Sequence, residues 1–241
     1  MNQSIIVSEI KTALQELAIP EKAIIMQSFF KTGKGEYGEG DTFIGVTVPD
    51  QRSVAKEFYN TISLKELSQL LSSKIHEHRL TALLMMVYKF EKTKDQSVRK
   101  EIVDFYLKHT KYINNWDLVD TSCYKIIGRY CFENQDSKLL EKLSDSENMW
   151  EMRMAIVGTM HHIKKGQFEL TKTFALKNLK HPHDLMHKAN GWLLREMGKE
   201  NETELLDFLN LRYKDMPRTC LRYAIEKLDE GLRQNYLKGR I

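Results

Sequence analysis

Residues 63–92, SLKELSQLLSSKIHEHRLTALLMMVYKFEK, decide the class of fold. Leu64, Leu67, Leu70 and Leu71 recur at three- and four-residue spacing, the period that puts side chains on one face of an α-helix. Ser63 with Glu66 three residues later makes a capping box, so the start of this helix is locally specified. The stretch reads as a helix from 63 to 73 joined by a short turn to a second from 75 to 92.

Outward from that pair the pattern continues, with helices expected at 97 to 109 and 115 to 131, 136 to 143 and 148 to 164, 168 to 179 and 184 to 198, and 203 to 212 and 217 to 229. Only four prolines interrupt the chain, and strand signals are almost absent. A comparable early-turn position in each second helix falls at Arg79, Trp116, Arg153, Lys188 and Thr219, separated by 37, 37, 35 and 31 residues. That drift suits divergent helical-pair repeats. The Trp, Leu-Gly and Tyr offsets of tetratricopeptide repeats are missing, which favours a HEAT-like or armadillo-type solenoid, all-α, over 1–241 as one repeat domain. Such a stack carries one helix of every pair on a concave face suited to duplex DNA or a peptide.

Before the array, Thr32 to Pro49, TGKGEYGEGDTFIGVTVP, holds five of the twelve glycines and reads as an ordered loop between N-terminal helices and the repeats. Within it, Gly33-Lys34-Gly35-Glu36-Tyr37-Gly38 matches G-x-G-x-x-G literally. That pattern cradles phosphate only between a strand and a helix start. Here a helix precedes it, and Glu36, Glu39 and Asp41 would repel phosphate, so a structural loop or a loop at the edge of a DNA site is expected.

Composition bounds the function classes. The 241 residues are 41% hydrophobic and 29% charged, and no window approaches the roughly 18 consecutive apolar residues of a membrane helix. Glu9 and Lys11 fall inside the N-terminal apolar pattern, and no basic leader or cleavage site is visible, so a cytoplasmic location is expected. Cys123, Cys131 and Cys220 form no C-x-x-C pair, and reduced thiols are expected. A net charge of +4 admits an anionic partner without selecting nucleic acid.

All three tryptophans fall in successive second helices, each with a charged residue one turn on: Trp116 with Asp120, Trp150 with Arg153, Trp192 with Arg195. Packing between helices would account for such tryptophans equally well. His181, His183 and His187 cluster around Pro182, and His161 and His162 sit near a helix end; no cysteine or carboxylate completes a metal spacing, and neither metal nor cofactor is expected. Lys125, Arg129, Lys188, Arg218 and Arg222 are candidates for contacts to a phosphate backbone.

Four segments taken together, NNWDLVD at 114–120, WEMRMAIV at 150–157, KANGWLLREMGK at 188–199 and MPRTCLRYAIEKL at 216–228, resemble the DNA alkylation repair family, the HEAT-like (AlkD-like) alkylpurine DNA glycosylases. The G-E-Y-G-E-G-D segment resembles one branch of it. The resemblance implies a repair enzyme that hydrolyses the N-glycosidic bond of cationic alkylated purines, 3-methyladenine and 7-methylguanine, in duplex DNA without flipping the base into a pocket. It implies Asp120 as the catalytic carboxylate, Trp116 and Trp192 as aromatic residues flanking the lesion, and Arg153 and Arg195 as backbone contacts. Trp150, Lys188 and Arg222 join them as candidate DNA contacts. A purine alkylated at N3 or N7 is already a good leaving group, so the chemistry needs a carboxylate to stabilise the oxocarbenium-like sugar rather than an acid. The expected partner is duplex DNA, with no membrane and no obligate protein partner. The competing readings are a non-catalytic helical-repeat binder of damaged or branched DNA or of a protein partner, and a peptide scaffold with an apolar groove.

Overall fold

The computed structural model describes residues 4–241, which are built of α-helices with no strand. They form two compact units divided between Ser122 and Cys123.

The first unit holds α1 (Ile5–Glu16), α2 (Pro20–Phe29), α3 (Val48–Phe58), α4 (Leu64–Leu71), α5 (His76–Lys92), α6 (Gln96–Lys108), a 3-10 turn at Thr110–Tyr112 and α7 (Trp116–Cys123). The expected capping box is present on α4: the Glu66 N–H donates to Ser63 Oγ at 3.2 Å and the Ser63 N–H to Glu66 Oε2 at 2.8 Å. Asp95 caps α6 by a one-way N-cap, accepting from the Ser97 N–H at 2.8 Å. Of the seventeen residues of α5, thirteen are buried, so this helix is the axis of the unit and packs against α1, α3 and α4. Its first turn buries His76, Glu77, His78 and Arg79, four polar side chains that need partners to remain there.

The second unit continues with a π-helical stretch (Tyr124–Gly128), α8 (Arg129–Glu133), α9 (Lys138–Ser144), α10 (Met149–Gly158), α11 (Met160–Ile163), α12 (Glu169–Asn178), α13 (Asp184–Glu200), α14 (Glu202–Arg212), α15 (Arg218–Ala224) and α16 (Glu230–Lys238). Here α13 is the axis, touching α10, α12, α14 and α15. Two close helix crossings in this unit use glycine. A Cβ on Gly191 would collide with the Cys220 carbonyl oxygen of α15, and one on Gly128 with the Gly158 carbonyl oxygen of α10. All three cysteines are free and buried, and burial pushes the thiols of Cys131 and Cys220 up to about 12, which leaves them unreactive.

The helix pairs match the sequence reading with five differences, the first being that the expected helix 217–229 ends at Ala224. The expected helix 115–131 is interrupted by the π-helical stretch, and 148–164 breaks at Thr159, whose hydroxyl donates to the Ile156 carbonyl at 2.7 Å. Helix α3 begins at Val48 with Pro49 in its first turn, so the glycine-rich loop ends at Thr47, the residue that caps it. Beyond the last expected pair, α16 was not legible: its residues are mostly polar and it buries only Tyr236, whose hydroxyl donates to Asn210 at 2.7 Å.

Candidate active site

In the first unit the glycine-rich loop folds onto the start of α5. The N–H groups of Ile44, Gly45 and Val46 all donate to Glu77 Oε1, at 3.0, 2.8 and 3.3 Å. Burial pushes the Glu77 carboxyl above its ordinary value, and its own backbone N–H, with those of Gly45 and Ile44, opposes it. Gly45 adopts φ +85° and lies against the Ile19 carbonyl, a position closed to any side chain on both counts. The G-x-G-x-x-G amides are committed within the loop: the Gly33 N–H donates to Glu36 at 2.9 Å and the Gly35 N–H to Glu39 at 2.8 Å. The loop is structural, holding Asp41, Phe43 and Val46 in the interior.

Asp41 links this loop to α5, and His76 links α5 to α7. One Asp41 oxygen faces His76 Nδ1 at 3.0 Å and takes the Arg79 guanidinium, while His76 Nε2 reaches Asp117 Oδ2 at 2.7 Å. Arg79 donates onward to Asn114 Oδ1 at 2.7 Å. Burial works against the charge on Asp41, but bonds from His76 and the Arg79 charge outweigh it and hold its carboxyl below the usual range. For His76, burial likewise opposes protonation; the Asp117 charge and the bonds to both carboxylates overcome it and raise the imidazole to about 9.

This network ends at the first turn of α7. The Trp116 N–H donates to the Asn115 side chain at 2.8 Å, and the Leu118 N–H to Asp117 Oδ1 at 2.8 Å. The indole of Trp116 stacks on Phe30 with centroids 5.3 Å apart and planes at 16°, and Phe29 meets it edge-on at 6.0 Å. Phe30 stacks in turn on Phe43 at 5.0 Å and 18°. Both Trp116 and Asp120 are half-buried, four residues apart on one face of α7. An indole of fixed orientation beside a carboxylate at a partly desolvated surface can bind a cationic planar group and stabilise positive charge developing next to it.

The second unit brings together Lys188, Trp192 and Arg195 along one face of α13. Trp192 is half-buried. Lys188 pairs with Asp184 at 2.8 Å, and Arg195 pairs with Glu226 beyond the end of α15. Arg222 is exposed on α15 with no acidic partner among the described residues. Trp150 and Arg153 stand apart from this group. Trp150 is 9% exposed and Arg153 only 4%, its guanidinium donating to the Leu185 carbonyl in the first turn of α13. The histidines near Pro182 serve local backbone: His183 Nδ1 accepts from the Leu185 N–H at 3.1 Å and caps α13, and His187 Nε2 meets the His181 carbonyl at 2.6 Å.

Sequence reasoning missed Asp41, His76, Glu77, Arg79 and Asp117. The signal for the three on α5 was the run HEHR at 76–79, polar residues opening a helix whose next stretch, Leu80–Val87, is apolar but for Thr81.

Comparison with known proteins bears on what these residues serve. The family model described as DNA alkylation repair enzyme matches residues 10–228. The chain belongs to that family. This member resembles, in fold, the solved structure of a predicted DNA alkylation repair enzyme from Enterococcus faecalis, with a TM-score of 0.69 and 19% identity over 88% of this chain and 97% of the other. No curated protein matches it. Membership makes DNA the partner class of this family member. Among its described residues no helix is long and apolar enough to cross a membrane.

Proposed function

We propose that the protein is an alkylpurine DNA N-glycosylase that releases cationic purines such as 3-methyladenine and 7-methylguanine from duplex DNA. The observation that carries this reading is the half-buried Asp120 carboxylate one helical turn from Trp116, whose ring is stacked on Phe30. The glycosidic bond of an alkylated purine breaks with the bonding electrons leaving on the already cationic base, so positive charge develops on the sugar. A carboxylate beside the sugar stabilises that charge and orients the attacking water, and the water's proton passes to it or to solvent. The indole face attracts the cationic base or sugar by about 0.5–2 kcal/mol. No base-flipping pocket is required, since the lesion supplies its own leaving-group charge. Neither metal nor cofactor enters these steps.

In this reading Trp192 presents an aromatic face to DNA, and Lys188, Arg195 and Arg222 contact phosphates. Arg153 supports the DNA face from beneath, because its guanidinium holds the start of the helix that carries Lys188 and Trp192. The residues work from the cytoplasm as parts of one HEAT-like repeat domain over 1–241.

The test is incubation of the purified protein with duplex DNA bearing one 7-methylguanine, reading free base and abasic sites. Release of the base is expected. Tight binding to the duplex without release would transfer the protein to the class of non-catalytic helical-repeat DNA binders.

A further inference from the structure

The Asp41–His76–Asp117 chain is buried at Asp41 and His76 and partly buried at Asp117, lies outside the residues assigned to chemistry, and joins segments 35 and 41 residues apart in sequence. We propose that His76 is a positioning residue: its imidazole, bridging Asp41 and Asp117, clamps the glycine-rich loop to the first turn of α7 and thereby sets where Trp116 and Asp120 stand. The proposal rests on the reading that α7 carries the chemistry.

Geometry supports it in three ways. Each ring nitrogen of His76 faces a carboxylate oxygen, at 3.0 and 2.7 Å, and only the doubly protonated ring can donate to both. Asp117 follows Trp116 directly and precedes Asp120 by three residues, so a bond at Asp117 fixes the turn between them. Finally, the His76 ring stacks on Phe43 at 4.6 Å and lies 5.1 Å from Phe30, the ring on which Trp116 rests. The imidazole thus supports the indole through bonds and through the aromatic stack.

The charged groups facing His76 are Asp41 from the loop, Asp117 from α7, and Arg79 and Glu77 from α5 itself. The carboxylates of Asp41 and Asp117 balance the imidazolium and the guanidinium. Loss of the His76 proton leaves one carboxylate without its donor, and the first turn of α7 is then released from the loop.

The test is fluorine NMR of protein labelled with 5-fluorotryptophan, with the Trp116 signal assigned by Trp116→Phe. In the wild type the Trp116 signal should move with a midpoint at about 9 between about pH 6.5 and about pH 10. In His76→Gln it should be displaced at neutral pH and no longer titrate there. Should His76→Gln fail to give a native far-UV dichroism spectrum, Asp117→Asn breaks the same bridge from its more accessible end and should displace the signal in the same way. A Trp116 signal indifferent to pH in the wild type, or unshifted in a folded variant, overturns the proposal.

A parallel measurement is single-turnover release of 7-methylguanine at saturating protein. It should fall about tenfold in the variant while duplex affinity stays within about threefold, the split expected when reacting groups are misplaced and binding surface is kept. If the wild type releases no base, the glycosylase reading fails, and the fluorine signal still decides the positioning role.

Discussion

The backbone carbonyl of Cys220 on α15 occupies the space that a Cβ on Gly191 of α13 would need, and that Cβ would also stand 2.5 Å from Cβ of Tyr223. Both obstacles are parts of a packed helix rather than ends of flexible side chains, so α13 and α15 would have to separate to admit a methyl group. Gly191→Ala is therefore expected to cost about 1–3 kcal/mol despite the better helix propensity of alanine. Urea denaturation measures it; an unchanged midpoint would mean that the crossing is looser than described. Because Trp192 is the next residue, base release should fall in this variant even where it remains folded.

The His76 bridge makes stability depend on alkaline pH. Burial opposes the charge on the ring, but Asp117 and Asp41 raise it to about 9 from an ordinary value of 6.5, so the folded chain holds this proton more tightly than the unfolded chain. The resulting stabilisation is full below about pH 6.5, declines above it, and is lost as pH rises through about 9, with an upper size of about 3 kcal/mol. Unfolding free energies measured by urea across that window should fall for the wild type. Asp117→Asn should be less stable at neutral pH and show a flatter curve; parallel curves for the two proteins would place the pH dependence elsewhere.

Arg153 and Arg222 are expected to separate cleanly. Removing the buried Arg153 guanidinium takes away its bond to the Leu185 carbonyl and leaves a void in packed surroundings, so Arg153→Ala should lose about 1–3 kcal/mol of stability. The exposed Arg222 supports no such contact, and Arg222→Ala should keep its stability while the salt dependence of duplex binding flattens by roughly one unit of slope. Lys188→Ala should behave like Arg222→Ala. Unaltered salt slopes in both lysine and arginine variants would remove these residues from the DNA contact.

Asp120→Asn keeps the shape of the side chain and removes the charge that the developing sugar cation needs. Base release should drop by about 10² or more, with duplex affinity unchanged or improved, because a negative charge facing phosphates is removed. Activity within a few fold of the wild type would reject Asp120 as the catalytic carboxylate.

Selectivity follows from the same chemistry. With no acid to protonate the leaving base, 7-methylguanine and 3-methyladenine should be released, while hypoxanthine, uracil and undamaged purines stay in place. The comparison is base release from matched duplexes carrying one 7-methylguanine or one hypoxanthine, with chelator present. Equal release of the neutral base, or a requirement for added metal, would rule out this mechanism even for an active glycosylase.

The helices were legible in the sequence because what specifies them is local. Apolar spacing, the Ser63–Glu66 box and the scarcity of proline act within one or two turns, and the paired elements appear where they are expected. The pairing of Trp116 with Asp120 on one face of α7 was legible for the same reason, since a four-residue spacing has one outcome on a helix. The polar network was not, because Asp41, His76 and Asp117 meet only after the chain has folded back over 35 and 41 residues, and no spacing rule reaches that far. Nor could spacing separate Arg153 from Arg222. Both are cations on second helices of their pairs, and only the packing of α13 against α10 turned one into a buried donor to backbone and left the other facing solvent.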